Sequence, residues 1–143
     1  MTEKVFVDTN VLVYARDASE GAKHRRAREW MAHLWKSETG RTSVQVLNEF
    51  YVTVTLKLRP GLGRDEARGE VRQFQAWRPV ALDASLCEKA WEIQDRHRLS
   101  YWDSLIVAAA QASGCERLLT EDFGAGRDLD GLRVVNPFTR EPG

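Results

Sequence analysis

Short runs of β-branched and aromatic residues alternate with longer stretches of helical periodicity along this chain. Residues 4–8 and 117–120 are of the first kind and predict buried strands. Residues 21–37 are of the second kind, because apolar side chains recur there at intervals of three and four positions. Strands that alternate with helices form a parallel sheet with right-handed crossovers. We therefore expect an α/β fold, a three-layer α/β/α sandwich around a parallel sheet.

Five strands and six helices follow from this pattern. The predicted strands are residues 4–8, 41–43, 79–82, 117–120 and 133–136, and the predicted helices are residues 11–16, 21–37, 44–58, 67–77, 86–97 and 105–112. If the strands, numbered along the chain, stand in the order 3-2-1-4-5, the first and fourth are neighbours where the order reverses. Open parallel sheets bind ligands outside the carboxyl ends of their strands at this point. A ligand site is expected there.

Size and charge limit the classes of protein to consider. With 143 residues the chain is expected to form one domain, residues 1–143, around a single core. Its 21 basic and 21 acidic residues balance, so binding of a nucleic acid would depend on a local patch. Residues 5–15 are apolar but interrupted by Asp8 and Asn10, which is not the pattern of a signal peptide or a membrane span. We expect a cytoplasmic protein that does not bind a membrane.

Four carboxylates stand where a purely structural role explains them poorly. Asp8 and Asp122 follow the first and fourth predicted strands, Asp103 opens the last helix, and Glu49 lies in a helix with no Lys or Arg three or four positions away. Two carboxylates about 4 Å apart repel by roughly 4 kcal/mol at an effective dielectric constant near 20. If the four meet, they must be protonated, spread apart or neutralised by a cation. Hard oxygen ligands of this kind suit Mg²⁺ or Mn²⁺.

Each acid also has a structural interpretation. Asp103 is placed where a helix favours a capping acid, and capping alone explains it better than metal binding does. Asp8 could cap the first helix, and Asp122 could be a turn residue. A half-buried, unpaired Glu49 is the hardest to explain structurally. Glu121 is expected to be solvated or to support the site without being a ligand itself.

Four segments resemble, in order and spacing, the motifs of the PIN-domain family, and within it the small VapC-type toxins of prokaryotic toxin–antitoxin modules. The segments are residues 6–12 (FVDTNVL), 44–50 (VQVLNEF), 99–110 (LSYWDSLIVAAA) and 119–123 (LTEDF). The resemblance implies an α/β/α sandwich with Mg²⁺- or Mn²⁺-dependent endoribonuclease activity on RNA. It also implies a homodimer and a cognate antitoxin that covers the site.

Site residues carry over from the resemblance position by position. It implies that Asp8 and Asp103 are the principal metal ligands and that Glu49 and Asp122 complete the acidic pocket. It implies hydrogen-bonding support from Thr9, Asn10, Ser104 and Thr120. A metal there would lower the pKa of a bound water, which attacks the phosphorus and leaves a 5′-phosphate and a 3′-hydroxyl.

Other functions stay open. A receiver-like phosphoacceptor domain also carries acids at strand ends, but here Asp83 after the third strand is expected to cap a helix. A PIN-type RNA-processing nuclease without a toxin role is a further alternative. Residues 23–28 and 96–98 are basic and could contact phosphate, although solvated helix faces are the commoner explanation. The five tryptophans are expected mostly in the core, and Trp102, beside Asp103, is the candidate for base stacking.

Overall fold

A five-stranded sheet organises the protein, whose computed structural model describes residues 3–143. The strands are β1 (Val5–Val7), β2 (Gly40–Arg41), β3 (Arg117–Leu119), β4 (Asp128–Leu129) and β5 (Leu132–Val135). They stand in the order β2-β1-β3-β5-β4. Neighbouring strands from β2 to β5 in this order are parallel, and β4 pairs antiparallel with β5 at the edge. Helices flank this sheet, which is the α/β class that the alternating pattern predicts.

The predicted strand at residues 79–82 is reduced to a single parallel bridge between Ser43 and Val80. The amide of Val80 donates to the carbonyl of Thr42 at 3.1 Å. Pro79 has no amide hydrogen to extend the ladder, and Asp83 already caps the next helix. Counting the bridge as the third predicted strand, the strand order agrees with the expected 3-2-1-4-5.

The antiparallel hairpin of β4 and β5 is missing from the sequence prediction, which described the sheet as parallel throughout. Its two-residue turn is Asp130 and Gly131, both with positive φ, at 56° and 93°. Asp-Gly between apolar residues is a strong signal for such a turn, because glycine accepts this backbone conformation without strain. The sequence therefore contained the signal for this edge strand.

Six α-helices connect the strands, at bounds close to those predicted. They are α1 (Thr9–Tyr14), α2 (Ala22–Ser37), α3 (Val44–Val52), α4 (Arg64–Gln73), α5 (Ala84–His97) and α6 (Tyr101–Ala112). A π-helical turn, Thr53–Lys57, continues α3, and short 3₁₀ turns lie at Ala18–Glu20 and Phe74–Trp77. Ser43 and Asp83 cap α3 and α5, each accepting a bond from the amide three residues on, as predicted. No helix within residues 3–143 is long and apolar enough to cross a membrane.

The core lies between the sheet and its helices. Strand β1 is buried along its whole length, and residues 104–110 of α6 are buried on every side of the helix. Trp30 of α2 is fully buried and its indole nitrogen donates to the carbonyls of Pro137 and Arg140 at 3.2 and 2.9 Å. These contacts hold the C-terminal segment against α2.

The expectation that the five tryptophans mostly lie in the core is wrong. Trp30 and Trp77 are buried, but Trp35, Trp91 and Trp102 are 37%, 53% and 60% exposed. Periodicity identifies the apolar side of a helix but does not tell its buried centre from its solvent-facing margin.

We expect Gly40→Ala to destabilise the fold. An added Cβ would stand 2.5 Å from the buried indole of Trp77, which packs directly on the glycine. Overpacking of this kind costs about 1–3 kcal/mol of unfolding free energy, measurable by urea denaturation. The matched control is Gly69→Ala in α4, where nothing lies within 4 Å and the change is expected to stabilise the helix by up to about 1 kcal/mol. Equal stability of the two variants would contradict this packing.

Candidate functional site

A cavity of about 410 Å³ opens at the carboxyl ends of β1 and β3. The four predicted acids, Asp8, Glu49, Asp103 and Asp122, are all among the residues that line it. They come from the end of β1, from α3, from the first turn of α6 and from the loop after β3. The topology thus brings together residues that are up to 114 positions apart, where an open parallel sheet binds ligands.

Asp8 is both a helix cap and the most deeply buried of the four acids, with 7% of its surface exposed. One carboxylate oxygen accepts from the amide of Thr9 at 2.7 Å, and the other accepts from the hydroxyl of Thr120 at 2.9 Å. Burial raises the pKa of Asp8 from 3.8 to about 6. The two hydrogen bonds oppose this rise, and the charges of Glu49 and Asp122 add to it. The capping interpretation is confirmed without removing Asp8 from the cavity.

Asp103 lies in the first turn of α6, whose N-cap is Ser100. The amide of Asp103 donates to the Ser100 hydroxyl oxygen at 3.1 Å. Burial raises the pKa of the Asp103 carboxyl, a hydrogen bond with Ser100 lowers it, and the nearby charges of Asp122 and Glu49 raise it further. Asp103 therefore contributes its amide to the helix cap while its carboxylate lines the cavity.

Glu49 is exposed, not half-buried as the sequence suggested. One of its carboxylate oxygens accepts from the Thr9 hydroxyl at 2.8 Å, and the other accepts from the side-chain amide of Gln45 at 3.1 Å. These neutral donors orient the carboxylate and leave its charge in place. Among the ion pairs within residues 3–143, none involves any of the four acids.

Asn10 and Thr120 link the ends of β1 and β3 beneath the cavity. The Asn10 side-chain amide donates to the Thr120 hydroxyl oxygen at 3.1 Å and to a carboxylate oxygen of Asp122 at 3.2 Å. The amide of Asp122 also donates to the Thr120 hydroxyl oxygen, at 3.1 Å. Ser104 differs from the other predicted supporting residues, because its buried hydroxyl donates to the carbonyl of Ser100 at 2.8 Å and thus braces the start of α6.

A second network at the cavity edge was not predicted. Glu121 accepts from the Tyr14 hydroxyl at 2.7 Å and from the Lys23 ammonium group at 2.9 Å. Of its two expected roles, support of the site from outside the ligands agrees with these contacts and simple solvation does not. The ammonium group also lies 5.1 Å from the centre of the Tyr14 ring. The partners are about a hundred positions from Glu121 in the chain, so no local pattern could reveal them. The network holds the loop that carries Asp122 against α1 and α2.

The basic segments are engaged in contacts of their own. In residues 23–28, Lys23 pairs with Glu121 and Arg26 pairs with Glu29 at 3.1 Å. In residues 96–98, the side chains of Arg96 and His97 both contact Asp130, at 2.7 and 3.0 Å. The second segment thereby fastens the end of α5 to the β4–β5 turn.

The donor set suits an open magnesium or manganese site better than a closed metal cage. Within residues 3–143, no three side chains of the His, Cys, Asp and Glu types stand close enough together to hold a metal ion between them. Mg²⁺ does not need such a cage, because it usually keeps several waters and takes one or two carboxylates together with substrate phosphates. Hard carboxylate oxygens, oriented by Thr9, Gln45 and Thr120, fit that requirement.

Comparison with known proteins agrees with this architecture. The model of the PIN-domain family matches residues 5–127, which is most of the chain and includes all four acids. The chain belongs to the PIN-domain family. This membership removes the receiver-like interpretation. No curated protein sequence matches the chain.

Solved structures similar to this PIN domain include a toxin and two complexes. VapC20 of Mycobacterium tuberculosis, described as a sarcin–ricin loop cleaving toxin, is 28% identical with a TM-score of 0.64, covering 84% of this chain and 92% of its own. A toxin–antitoxin complex from Klebsiella pneumoniae gives 19% identity and a TM-score of 0.63, covering 94% and 98%. FitAB bound to a DNA fragment is 21% identical with a TM-score of 0.69, and the alignment covers 96% of this chain and 97% of the FitAB chain. The last two show similarity of fold alone.

We expect Asp8→Asn to stabilise the metal-free PIN domain at neutral pH. The folded protein holds the Asp8 proton more tightly than the unfolded chain does, so ionisation of Asp8 opposes folding, and this penalty is complete once the pH exceeds about 6. The penalty grows from about pH 4 to pH 6 and is at most about 3 kcal/mol. Asparagine keeps a capping side chain but loses an acceptor for Thr120, so a net gain of about 1–2 kcal/mol is expected at pH 7.5.

Urea denaturation with a chelator at pH 7.5 and pH 4 measures this effect. The gain should be largely lost at pH 4, which is close to the ordinary Asp pKa of 3.8, because little of the penalty has developed at that pH. Asp83→Asn is the control, because Asp83 is an exposed N-cap and its replacement should change stability by only a few tenths of a kcal/mol. A variant Asp8→Asn that gains nothing at pH 7.5 relative to pH 4 would show that the buried charge is not opposing folding.

Proposed function

We propose that this chain is a Mg²⁺- or Mn²⁺-dependent endoribonuclease and the toxin of a toxin–antitoxin pair. The observation that carries the proposal is the group of four carboxylates without basic partners, Asp8, Glu49, Asp103 and Asp122, around one cavity of a PIN domain. An acidic cavity repels a phosphodiester unless a cation intervenes. Among the described residues no Lys or Arg forms an ion pair with these carboxylates, which favours a metal-assisted reaction at the acidic centre over direct binding of phosphate there.

Asp8 and Asp103 are the residues that would hold the metal, with Glu49 and Asp122 completing its surroundings. Bound there, Mg²⁺ or Mn²⁺ supplies charge stabilisation for the phosphate and a water of lowered pKa. The chain's own part is to orient the oxygen donors. The Thr9 amide and the Thr120 hydroxyl fix both oxygens of Asp8, and Thr9 and Gln45 fix those of Glu49.

The products follow from which groups line the cavity. No histidine is among the described residues that line it, so the pair of imidazoles that would use the ribose 2′-hydroxyl as nucleophile is missing there. Attack by water on the phosphorus with cleavage of its bond to the 3′ oxygen, which departs and takes up a proton, leaves a 5′-phosphate and a 3′-hydroxyl. Metal-assisted hydrolysis of this kind is what the carboxylates can support.

The partners we propose come from the similar structures. The similar structure from Klebsiella pneumoniae is a toxin–antitoxin complex. A similar structure from Rickettsia felis is VapBC2 bound to a fragment of promoter DNA. By analogy, a cognate antitoxin would bind this chain and block its cavity, and the active form would be a cytoplasmic homodimer. An RNA-processing nuclease without a toxin role would use the same cavity, so growth experiments separate the two.

We expect purified protein to cut single-stranded RNA with Mn²⁺ or Mg²⁺ and to stop when the metal is chelated. Asp8→Asn and Asp103→Asn should each lower the cleavage rate at least about 100-fold, because each removes a metal ligand. The control, Asp83→Asn, should cut like the wild type. Gel analysis of a labelled RNA measures the rate, and digestion by an exonuclease that requires a 5′-phosphate identifies the new ends. Undiminished cutting by both site variants would refute the proposal.

We expect expression of the wild-type chain in bacteria to arrest growth and expression of Asp103→Asn to leave growth unchanged. The reason is that a nuclease without its antitoxin damages essential RNA, whereas the variant lacks a metal ligand. Growth curves after induction measure the effect, and mapping of cleaved RNA ends identifies the target. Harmless expression at a high level, with active enzyme recovered from the same cells, would contradict the toxin role and leave the nuclease.

A further inference from the structure

The exposed side chain of Trp102 stands at the mouth of the acidic cavity. It lies immediately before Asp103, is 60% exposed, and is one of the residues that line the cavity. Its ring centre lies 5.5 Å from that of Tyr101, at an interplanar angle of 65°. The side-chain amide of Gln45 donates to the Trp102 carbonyl at 3.5 Å. A large aromatic surface is therefore held next to the carboxylates while remaining open to solvent.

A second depression, of about 460 Å³, adjoins the acidic cavity next to Glu49. The two depressions share Thr9, Glu49 and Thr53 and therefore form one groove. We call it the Trp102–Lys57 groove, because Trp102 lines one part and Lys57 lines the other. The three shared residues carry two hydroxyl groups and one carboxylate, while the exposed lining of each depression as a whole is more apolar than polar.

Lys57 gives the far part of the groove a positive charge. It ends the π-helical turn Thr53–Lys57 and is exposed. It takes part in none of the ion pairs within residues 3–143, unlike Lys23, which is paired with Glu121. Its ammonium group is thus available to an anion that lies in the groove.

An aromatic surface, an acidic centre and a free cation in this order match a single strand of nucleic acid. Proteins that bind single strands combine aromatic side chains for the bases with positive charge for the backbone. A paired duplex does not offer a free base face to a tryptophan.

We propose that the Trp102–Lys57 groove holds single-stranded RNA, with a base stacked on Trp102 and a backbone phosphate bound by Lys57 on the opposite side of the acidic centre. This inference rests on the proposed ribonuclease function and specifies how its substrate lies. Trp102 and Lys57 are then positioning residues for the substrate, and neither touches the bond that breaks.

Binding of an octamer of uridylate with Ca²⁺ in place of Mg²⁺ tests the stacking. Ca²⁺ also binds carboxylate oxygens and offsets their charge, and recovery of the intact octamer after the measurement shows that no cleavage occurred. Trp102→Ala should weaken binding about tenfold or more, as loss of one base–aromatic stack does, and Trp102→Phe should restore part of the affinity. The control is Trp91→Ala, because Trp91 is 53% exposed on α5 and lines neither depression. Quenching of tryptophan fluorescence on binding should be large in the wild type and in Trp91→Ala and small in Trp102→Phe.

The salt dependence of the same binding tests Lys57. Lys57→Ala should reduce the slope of log affinity against log salt concentration by about 0.7, because one phosphate contact is lost from a single strand. Trp102→Ala should leave that slope unchanged. Lys36→Ala, an exposed lysine on α2 outside the groove, is the control and should also leave it unchanged.

The outcomes separate this inference from the proposed function. Suppose that wild-type protein cuts RNA. If Trp102→Ala then binds the octamer as well as Trp91→Ala does, or if Lys57→Ala keeps the full salt slope, the groove assignment is overturned and the nuclease stands. If the octamer binds as described but no metal supports cleavage, the groove stands and the nuclease fails. A loss of dimer mass by sedimentation in Trp102→Ala, with RNA binding retained, would assign Trp102 to a contact between copies and overturn the inference.

Discussion

A buried carboxylate at the end of the first strand is the constraint around which the site is built. Asp8 requires donors because a carboxylate without them is costly in the interior. The donors come from the start of α1 and from Thr120 at the end of β3. The neighbouring positions of β1 and β3 in the sheet therefore serve the fold and the acidic cavity together. A change in strand order would leave this charge without its partner across the sheet.

Those hydrogen bonds reduce the cost of burying Asp8 but do not remove its charge. The pKa of Asp8 still rises to about 6, and the carboxylates of Glu49 and Asp122 raise it, as they do that of Asp103. A structural carboxylate is usually held by a basic partner, which would lower its pKa. Here the donors are neutral groups, so the repulsion persists until a cation binds. The arrangement that raises the pKa of Asp8 is also the one that the proposed cation would stabilise, which would be the usual conflict between stability and activity.

The sequence predicted the parts of the molecule that depend on local chemistry. Caps at Ser43 and Asp83 and the buried strand β1 were visible from residue type and periodicity. The carboxyl-end location of Asp8 and Asp122 followed from the strand order. The pairing of Glu121 with Lys23 could not be predicted, since it depends on how α2 packs near the end of β3. The β4–β5 hairpin was missed although its Asp-Gly turn is a local signal.

Helix α6 would place recognition and chemistry close together, given the roles proposed for Trp102 and Asp103. Residues 104–110 of the helix are buried on every side, so the helix is fixed against the sheet. Its first turn emerges from this core and presents Trp102 and Asp103 side by side at the cavity. A substrate base and a metal ligand would then be positioned by one rigid element, with no loop between them to add freedom of movement. Displacement of a base from Trp102 would thus misplace the phosphate relative to Asp103, which ties the choice of RNA strand to the geometry of cleavage.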